Sequence, residues 1–247
     1  MIGRLARAWL RLLTVQASFN YDRMQGVGVA YASEPLLENL PGGTTGERYA
    51  AAMRHATRYF NAHPYLTGLA VGAVARAEHD GLSDAAIAGL QRALVSPLGS
   101  LGDRLIWAGL LPAAVGLALV LAAATSPLVG VLVFLVVYNA VHVAVRGWAL
   151  AIGWRDSTKV ARAINSPGVR ASLRVAGPLA GLALGLALPL TAEWSAYDLT
   201  GRSQLAVAVV AAVAVVLGRW LWPSLGGLRF GLLLVALTLI GGAGGGL

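Results

Sequence analysis

The chain of 247 residues is 57% hydrophobic and only 12% charged, with a mean hydropathy of +0.69. Soluble domains carry about 25% charged residues, so this composition excludes a soluble globular domain and predicts an integral membrane protein. Cys is absent, which excludes a disulfide framework and a thiolate metal site. The net charge of +8 predicts basic segments on the cytoplasmic side rather than nucleic-acid binding, because no basic stretch is interleaved with stacking aromatics.

The first predicted element is a basic amphipathic helix over residues 4–13. It places Leu5, Trp9, Leu12 and Leu13 on one face and its arginines largely on another, which suits a membrane surface. Residues 15–31 are helix-compatible and rich in hydrogen-bonding side chains. Three of these are spaced for one helical face: Gln16, Asn20 and Arg23. Amide side chains both donate and accept hydrogen bonds, which suits a neutral polyol.

A new helix is predicted to begin at Thr44-Thr45-Gly-Glu47, with either threonine as its N-cap, and to stop at Asn61-Ala-His63-Pro64. Residues 66–77 are apolar but short for a membrane span, so a buried or re-entrant helix is predicted there. Ser83 is the predicted N-cap of a helix over 84–95.

Residues 105–145 contain no Asp, Glu, Lys or Arg. One span needs about 20 apolar residues, so this run is long enough for two. Ser126-Pro127 favours a turn near its middle. We therefore predict a transmembrane hairpin over 105–124 and 127–147, with Asp103 and Arg104 at the point where the membrane region begins.

A basic loop over 146–174 is the strongest topological signal, and the positive-inside rule places it in the cytoplasm. Further spans are predicted over 175–192, 204–222 and 230–240. The sequence therefore predicts an all-α integral membrane protein, with an N-terminal amphipathic or re-entrant helical region followed by about five transmembrane helices. Its domains are 1–103 and 104–247, with a cytoplasmic N-terminus and a C-terminus outside.

Two polar features of the membrane region bear on chemistry. Asn139, His142 and Arg146 are spaced for one face of the second hairpin helix, where they form either a structural interhelical hydrogen bond or a substrate contact. Asp103 is either a charge at the interface, paired with Arg104 or the basic loop, or a functional group. No metal-site spacing and no enzyme motif occurs in the sequence.

Four motifs occur in one order along the chain: Gln16-Ala-Ser-Phe-Asn-Tyr-Asp-Arg-Met-Gln25, Phe60-Asn-Ala-His-Pro64, Ser96-Pro-Leu-Gly-Ser-Leu-Gly-Asp103 and Tyr138-Asn-x-x-His142-x-x-x-Arg146. This order and spacing resemble the IID subunit of the mannose/fructose/sorbose phosphotransferase system (PTS). The resemblance runs over nearly the whole chain.

The resemblance implies a bacterial inner-membrane protein that pairs with a IIC membrane subunit and moves a hexose by an elevator-type motion. Soluble IIA and IIB components, which carry the phosphoryl group on their own histidines, then phosphorylate the sugar. This chain, a subunit of that phosphotransferase complex, is therefore expected to have no catalytic phosphoryl-carrying residue and no cofactor. Higher-order oligomers of IIC–IID pairs are also implied. The implied substrate-binding residues are Gln16, Asn20, Gln25, Asn61 and His63. The implied hinge or translocation residues are Gly99, Gly102, Asp103, Asn139, His142 and Arg146.

The third motif departs from the family pattern. Ser96, Gly99 and Ser100 stand where the family usually has Gly, Ala and Gly. Serine in place of glycine restricts the backbone of a hinge. This departure supports an alternative hypothesis, in which the chain is a diverged, non-transporting membrane protein that regulates or senses through phosphotransferase components.

Overall fold

The computed structural model describes residues 1–191, and within that range it contains helices and no β-strand. The helices are α1 (Ile2–Leu12), α2 (Gly26–Leu37), α3 (Glu47–Ala56), α4 (Thr67–His79), α5 (Asp84–Gly102), α6 (Leu111–Ala124), α7 (Pro127–Asp156), α8 (Ala161–Ile164) and α9 (Pro167–Thr191). A π-helical segment, Asp103–Leu110, joins α5 to α6. The all-α prediction is confirmed.

The chain divides into two compact units, Met1–Ala183 and Leu184–Leu247. Of the second unit the structure describes residues 184–191, which form the last turns of α9. The first unit contains all of the sites considered below. The sequence-based division at residue 103 stays a prediction.

Within residues 1–191, three helical stretches are long and apolar enough to cross a membrane: Asp84–Ala124, Pro127–Lys159 and Pro167–Leu188. They correspond to the two helices of the predicted hairpin and to the span predicted over 175–192. The spans predicted over 204–222 and 230–240 lie outside the described residues. The cytoplasmic N-terminus and the external C-terminus stay predictions.

The hairpin turn lies where the Ser-Pro step predicts it. α6 ends at Ala124, and the Ser126 hydroxyl accepts a hydrogen bond from the Val129 N–H at 3.4 Å, which caps α7. Pro127 occupies the first turn of α7, where its missing N–H leaves no helical hydrogen bond unmade. The two helices then approach closely, because a Cβ on Gly130 would lie 2.5 Å from the Ala118 carbonyl oxygen.

Two helices, α5 and α7, extend further than predicted. The helix predicted over 84–95 does not end there: α5 continues through Pro97 to Gly102, so the Ser96–Asp103 motif is helical. α7 likewise continues past residue 147 to Asp156, and α9 begins at Pro167. The predicted basic loop over 146–174 is therefore wrong in extent, since only residues 157–166 separate the two long helices.

Burial explains why α7 continues. Four buried residues in the C-terminal half of α7 lie, counted from the first, at offsets of three, four and seven, which is the spacing of one helical face. They are Arg146, Ala149, Leu150 and Gly153. That face packs against α4. Charge counting along the sequence registers the arginines of this region but not the buried face between them.

Residues 15–25 do not form the predicted helix. The Asn20 side-chain oxygen accepts hydrogen bonds from the N–H groups of Asp22 at 3.1 Å and Arg23 at 2.9 Å, and Met24 has a φ of 52°. Local side-chain bonds of this kind compete with helix formation. Gln16, Asn20 and Arg23 therefore do not share a helical face, and α2 begins only at Gly26.

Two predicted helix starts have different outcomes. Ser83 caps α5 as predicted, since its hydroxyl accepts a hydrogen bond from the Ala86 N–H at 3.3 Å. The cap predicted at Thr44 or Thr45 is wrong, because both threonines lie in a short 3₁₀ turn and α3 begins after Gly46 without a side-chain cap.

The amphipathic helix α1 packs against α2 through charge pairs. Arg7 lies 2.8 Å from the Glu38 carboxylate, and Arg11 pairs with Glu34. The hydrogen bond from Arg7 holds the pKa of Glu38 below its usual value. The predicted helix is confirmed, and two of its arginines pair with carboxylates of the protein.

The buried helix predicted over 66–77 is α4, which packs directly against α7 through glycines. A Cβ on Gly72 would lie 2.4 Å from the Trp154 backbone nitrogen, and one on Gly68 would lie 2.9 Å from that of Leu150. From the other side, a Cβ on Gly153 would lie 2.3 Å from the Leu69 carbonyl oxygen. Small residues let helix backbones approach in this way inside membranes.

We expect Gly72→Ala to destabilise the protein, because the added methyl group would meet the backbone of α7, which cannot move aside alone. Overpacking of this kind costs about 1–3 kcal/mol. The measurement is the thermal midpoint of the detergent-solubilised protein. Gly89→Ala is the matched control, since nothing lies within 4 Å of a Cβ at that helical position. An equal or higher midpoint for Gly72→Ala would contradict the close crossing.

Candidate functional site

The aromatic ring of Tyr65 lies at the centre of a polar cluster between the α3–α4 connection and α7. The His142 ring stacks on it, with centroids 4.6 Å apart and planes inclined by 11°. The Arg146 guanidinium carbon lies 4.8 Å from the ring centroid. The Tyr65 hydroxyl donates a hydrogen bond to the Tyr138 hydroxyl at 2.9 Å. We call His63, Tyr65, Trp107, Tyr138, His142 and Arg146 the Tyr65 cluster.

Three members of the cluster come from one face of α7. Tyr138, His142 and Arg146 are four residues apart, and side chains at that offset are neighbours on a helix. His142 and Arg146 were predicted on this face, but Asn139 was placed there as well. The structure instead leaves Asn139 exposed, with its amide donating to the Leu135 carbonyl of its own helix at 2.7 Å.

His63 joins the cluster from the α3–α4 connection and is only 2% exposed. Its Nδ1 accepts a hydrogen bond from the Tyr65 N–H at 3.3 Å, so the proton of the neutral ring lies on Nε2. Burial, and secondarily the charge of Arg146, lower the pKa of His63 from 6.5 to about 4. His63 is therefore a neutral donor at physiological pH.

The second wall of the cluster is formed by α5 and the π-helical segment. A Cβ on Gly102 would lie 2.1 Å from the Cβ of His63, so only glycine permits this approach. The Trp107 ring packs against the His63 ring, with the two ring centroids 4.9 Å apart. π-Helical segments occur frequently at functional sites. A Cβ on Gly99 would meet nothing within 4 Å, and Asp103 is exposed, so neither residue contributes to this wall.

Gln25 fixes the connection that carries His63 and Tyr65. Its amide nitrogen donates to the Ala62 carbonyl at 2.5 Å, and its amide oxygen accepts from the Thr67 hydroxyl at 2.8 Å. Gln25 is 2% exposed, so both ends of its amide are engaged within the protein. This geometry makes Gln25 a support of the Tyr65 cluster, while its predicted contact with a substrate stays a prediction.

The remaining predicted substrate-binding residues form no hydrogen bond with the Tyr65 cluster in the part of the chain that the structure describes. Gln16 and Asn61 are exposed, and Asn20 uses its amide oxygen in the turn before α2. Within residues 1–191, none of the three side chains hydrogen-bonds to a cluster member. Their roles also stay predictions.

Three buried polar atoms of the cluster have no hydrogen-bond partner among the described residues: His63 Nε2, His142 Nε2 and Arg146 Nε. The Arg146 NH1 group, by contrast, donates to the Leu12 carbonyl. An unsatisfied buried polar group costs about 1–3 kcal/mol, and three in one place therefore require a reason. Polar groups at membrane depth commonly mark substrate pathways.

Sequence reasoning missed Tyr65 and Trp107, and it assigned no role to Tyr138, although Tyr138 begins the fourth motif. Tyr138 carries a usable signal, because it lies four residues before His142 on an apolar helix. Tyr65 follows the His63-Pro64 step directly, but nothing nearby in sequence indicates its contacts with α7. No group of three His, Asp or Glu residues in the described part of the chain could hold a metal ion.

The fold and the Tyr65 cluster define a multi-span helical membrane protein with a polar, aromatic site beside its second span. Residues 3–198 match the model of the PTS system mannose/fructose/sorbose family IID component. The chain belongs to this family, which confirms the resemblance found in the four motifs.

Relatives with established names support the assignment. The chain is 34% identical over 165 residues to the sorbose-specific EIID component of Klebsiella pneumoniae, covering 64% of this chain and 58% of the relative. It is 31% identical over 144 residues to the fructose permease IID component of Bacillus subtilis, covering 56% and 50%. It is 29% identical over 161 residues to the mannose-specific EIID component of Escherichia coli, covering 62% and 56%. The chain thus spans little more than half the length of these relatives.

Two solved structures share the fold. One contains the mannose transporter ManYZ in complex with a microcin, and the similar chain has 22% identity and a TM-score of 0.60, covering 99% of this chain and 96% of that chain. The other is a membrane protein structure with 20% identity and a TM-score of 0.69, with the same coverage. At these identities the likeness establishes the fold.

We expect the stability of the protein to fall between pH 6.5 and pH 4. The pKa of His63 is about 4 in the fold and 6.5 as the ordinary value, so its contribution is complete above pH 6.5 and is lost as the pH falls through 4. The full loss is on the order of 3 kcal/mol. Thermal melts of wild type and His63→Gln across this range measure it. The variant should lose less stability, and identical pH profiles would contradict the assignment.

Proposed function

We propose that this chain is the IID half of a phosphotransferase permease that translocates a hexose of the mannose, fructose or sorbose class together with a IIC subunit. The sugar is phosphorylated by IIA and IIB components, and translocation follows an elevator-type motion in the bacterial inner membrane. Family membership supports the class of protein. The named specificities of the relatives support the class of sugar.

The observation that carries the site assignment is the set of three unpartnered polar atoms around Tyr65 in the described part of the chain. We infer that these groups meet sugar hydroxyls at a stage of the transport cycle. His63 supplies a neutral donor, and the aromatic faces of the cluster suit the apolar face of a sugar ring. Buried groups that hydrogen-bond a hydroxyl also discriminate against analogues that lack it.

Co-purification tests the partnership. The full chain, carrying an affinity tag, is expressed with the IIC-like protein encoded beside it and extracted in mild detergent. We expect a stable stoichiometric complex. A chain that is recovered alone and well folded would contradict the permease proposal and favour the alternative regulatory hypothesis.

Sugar uptake by proteoliposomes containing the complex tests the site. His63→Ala and His142→Ala should each lower uptake about tenfold, because one lost hydrogen bond in a desolvated site is worth about 1.4 kcal/mol. Asn39→Ala, at an exposed position after α2, should leave uptake unchanged.

The comparison applies to variants that still assemble with the partner. Wild-type uptake in both histidine variants would remove the Tyr65 cluster from the sugar path. Loss of uptake in Gln16→Ala and Asn61→Ala, with both histidine variants active, would place the sugar at those exposed amides instead.

A further inference from the structure

A second polar cleft, with a volume of about 380 Å³, lies between the end of α3 and the first turns of α5. Its polar lining consists of Arg58, Tyr59, Asp84, Gln91 and Arg92. No member of the Tyr65 cluster lines it. Its volume falls within the range of about 300–1,000 Å³ that is typical of small-molecule sites.

Two arginines face this cleft from different elements. Arg58 follows α3, and Arg92 lies on α5. Both side chains are exposed, and neither forms an ion pair with any residue in the described range 1–191. The acidic lining residue, Asp84, lies 3.5 Å from the buried His55 Nε2. Both arginines line the same cleft, and guanidinium groups bind phosphate through charge-assisted hydrogen bonds.

The floor of the cleft provides an acceptor. Gln91 is 6% exposed, and its amide nitrogen donates to the His55 carbonyl at 2.9 Å. Its amide oxygen is buried and has no hydrogen-bond partner among the described residues. Since this atom only accepts hydrogen bonds, its complement is a hydroxyl or N–H donor rather than a second anion.

We propose that this cleft binds a small phosphorylated polyol. Arg58 and Arg92 bind the phosphate, the Gln91 amide oxygen accepts a hydrogen bond from a ligand hydroxyl, and the exposed ring of Tyr59 covers the carbon skeleton. An inorganic anion would use only the arginines, and an unphosphorylated sugar would use only the remaining groups. Both halves of the lining are used only when phosphate and hydroxyls belong to one molecule.

The biological role of such a ligand depends on the proposed function. A hexose phosphate is the product of a sugar phosphotransferase system, so occupancy of this cleft would report product to the membrane subunit. Arg58 and Tyr59 lie in the same α3–α4 connection that carries His63 and Tyr65. Gln91 and Arg92 lie on α5, the helix that carries Gly102. A bound ligand would therefore link the α3–α4 connection to α5, the two elements that meet in the Tyr65 cluster where Gly102 lies against His63.

Binding to the full-length chain in detergent tests the proposal without any need for transport. The probes are mannose 6-phosphate, mannose and inorganic phosphate. Binding of each is measured by calorimetry and by the shift in the thermal midpoint of the protein. We expect mannose 6-phosphate to bind at least tenfold more tightly than either of the other two. Arg58→Gln and Arg92→Gln should each weaken this binding about tenfold, through loss of charge-assisted hydrogen bonds. Arg54→Gln is the matched control, because Arg54 is an exposed arginine of α3 outside the cleft.

Absence of mannose 6-phosphate binding would overturn the proposal, as would binding that survives both cleft substitutions. Equal affinity for inorganic phosphate would also overturn it, because the hydroxyl contact would then be absent. Stabilisation by phosphatidylglycerol micelles through the same arginines, without an effect of mannose 6-phosphate, would identify a lipid headgroup site instead. Each outcome is independent of co-purification and uptake, so failure of the permease proposal is distinguishable from failure of this one.

Discussion

The close crossing of α4 and α7 is the contact on which the rest of the first unit depends. Gly68, Gly72 and Gly153 allow the two backbones to approach to distances at which a single Cβ would collide. This crossing fixes the position of α7 along α4. It places Arg146 and His142 beside the residues that precede α4. The polar site is therefore a consequence of how the two helices pack.

Within that frame, Tyr65 holds together groups that are otherwise costly to bury. Its ring lies against an imidazole and a guanidinium, and its hydroxyl bonds to Tyr138. Burial raises the pKa of the Tyr65 hydroxyl, so it stays a neutral donor. With His63 also neutral, the charge of the cluster is that of Arg146, which is buried and lies over the Tyr65 ring. Such a surface suits a neutral, hydroxylated ligand under the proposed role.

The Tyr65 cluster and the cleft lined by Arg58 and Arg92 share structural supports. The segment after α3 carries Arg58 at one end and Tyr65 at the other, while α5 carries Arg92 and Gly102. Gln25 stabilises that segment, because its side chain hydrogen-bonds to Ala62 within the segment and to Thr67 at the start of α4.

The sequence by itself determined the all-α membrane class, the hairpin turn at Ser126-Pro127, the Ser83 cap and, through four ordered motifs, the family. The membrane class, the turn and the cap follow from composition and from residues within a turn of one another, whereas the family follows from the resemblance of the ordered motifs. Only the tertiary structure decided that residues 15–25 form a turn, that α7 continues past residue 147, and that Tyr65 meets Tyr138 and His142. Those outcomes depend on contacts between residues far apart in the chain or on competing local hydrogen bonds. Helical periodicity relates residues only a few positions apart, so the sequence pattern predicts neither kind of contact.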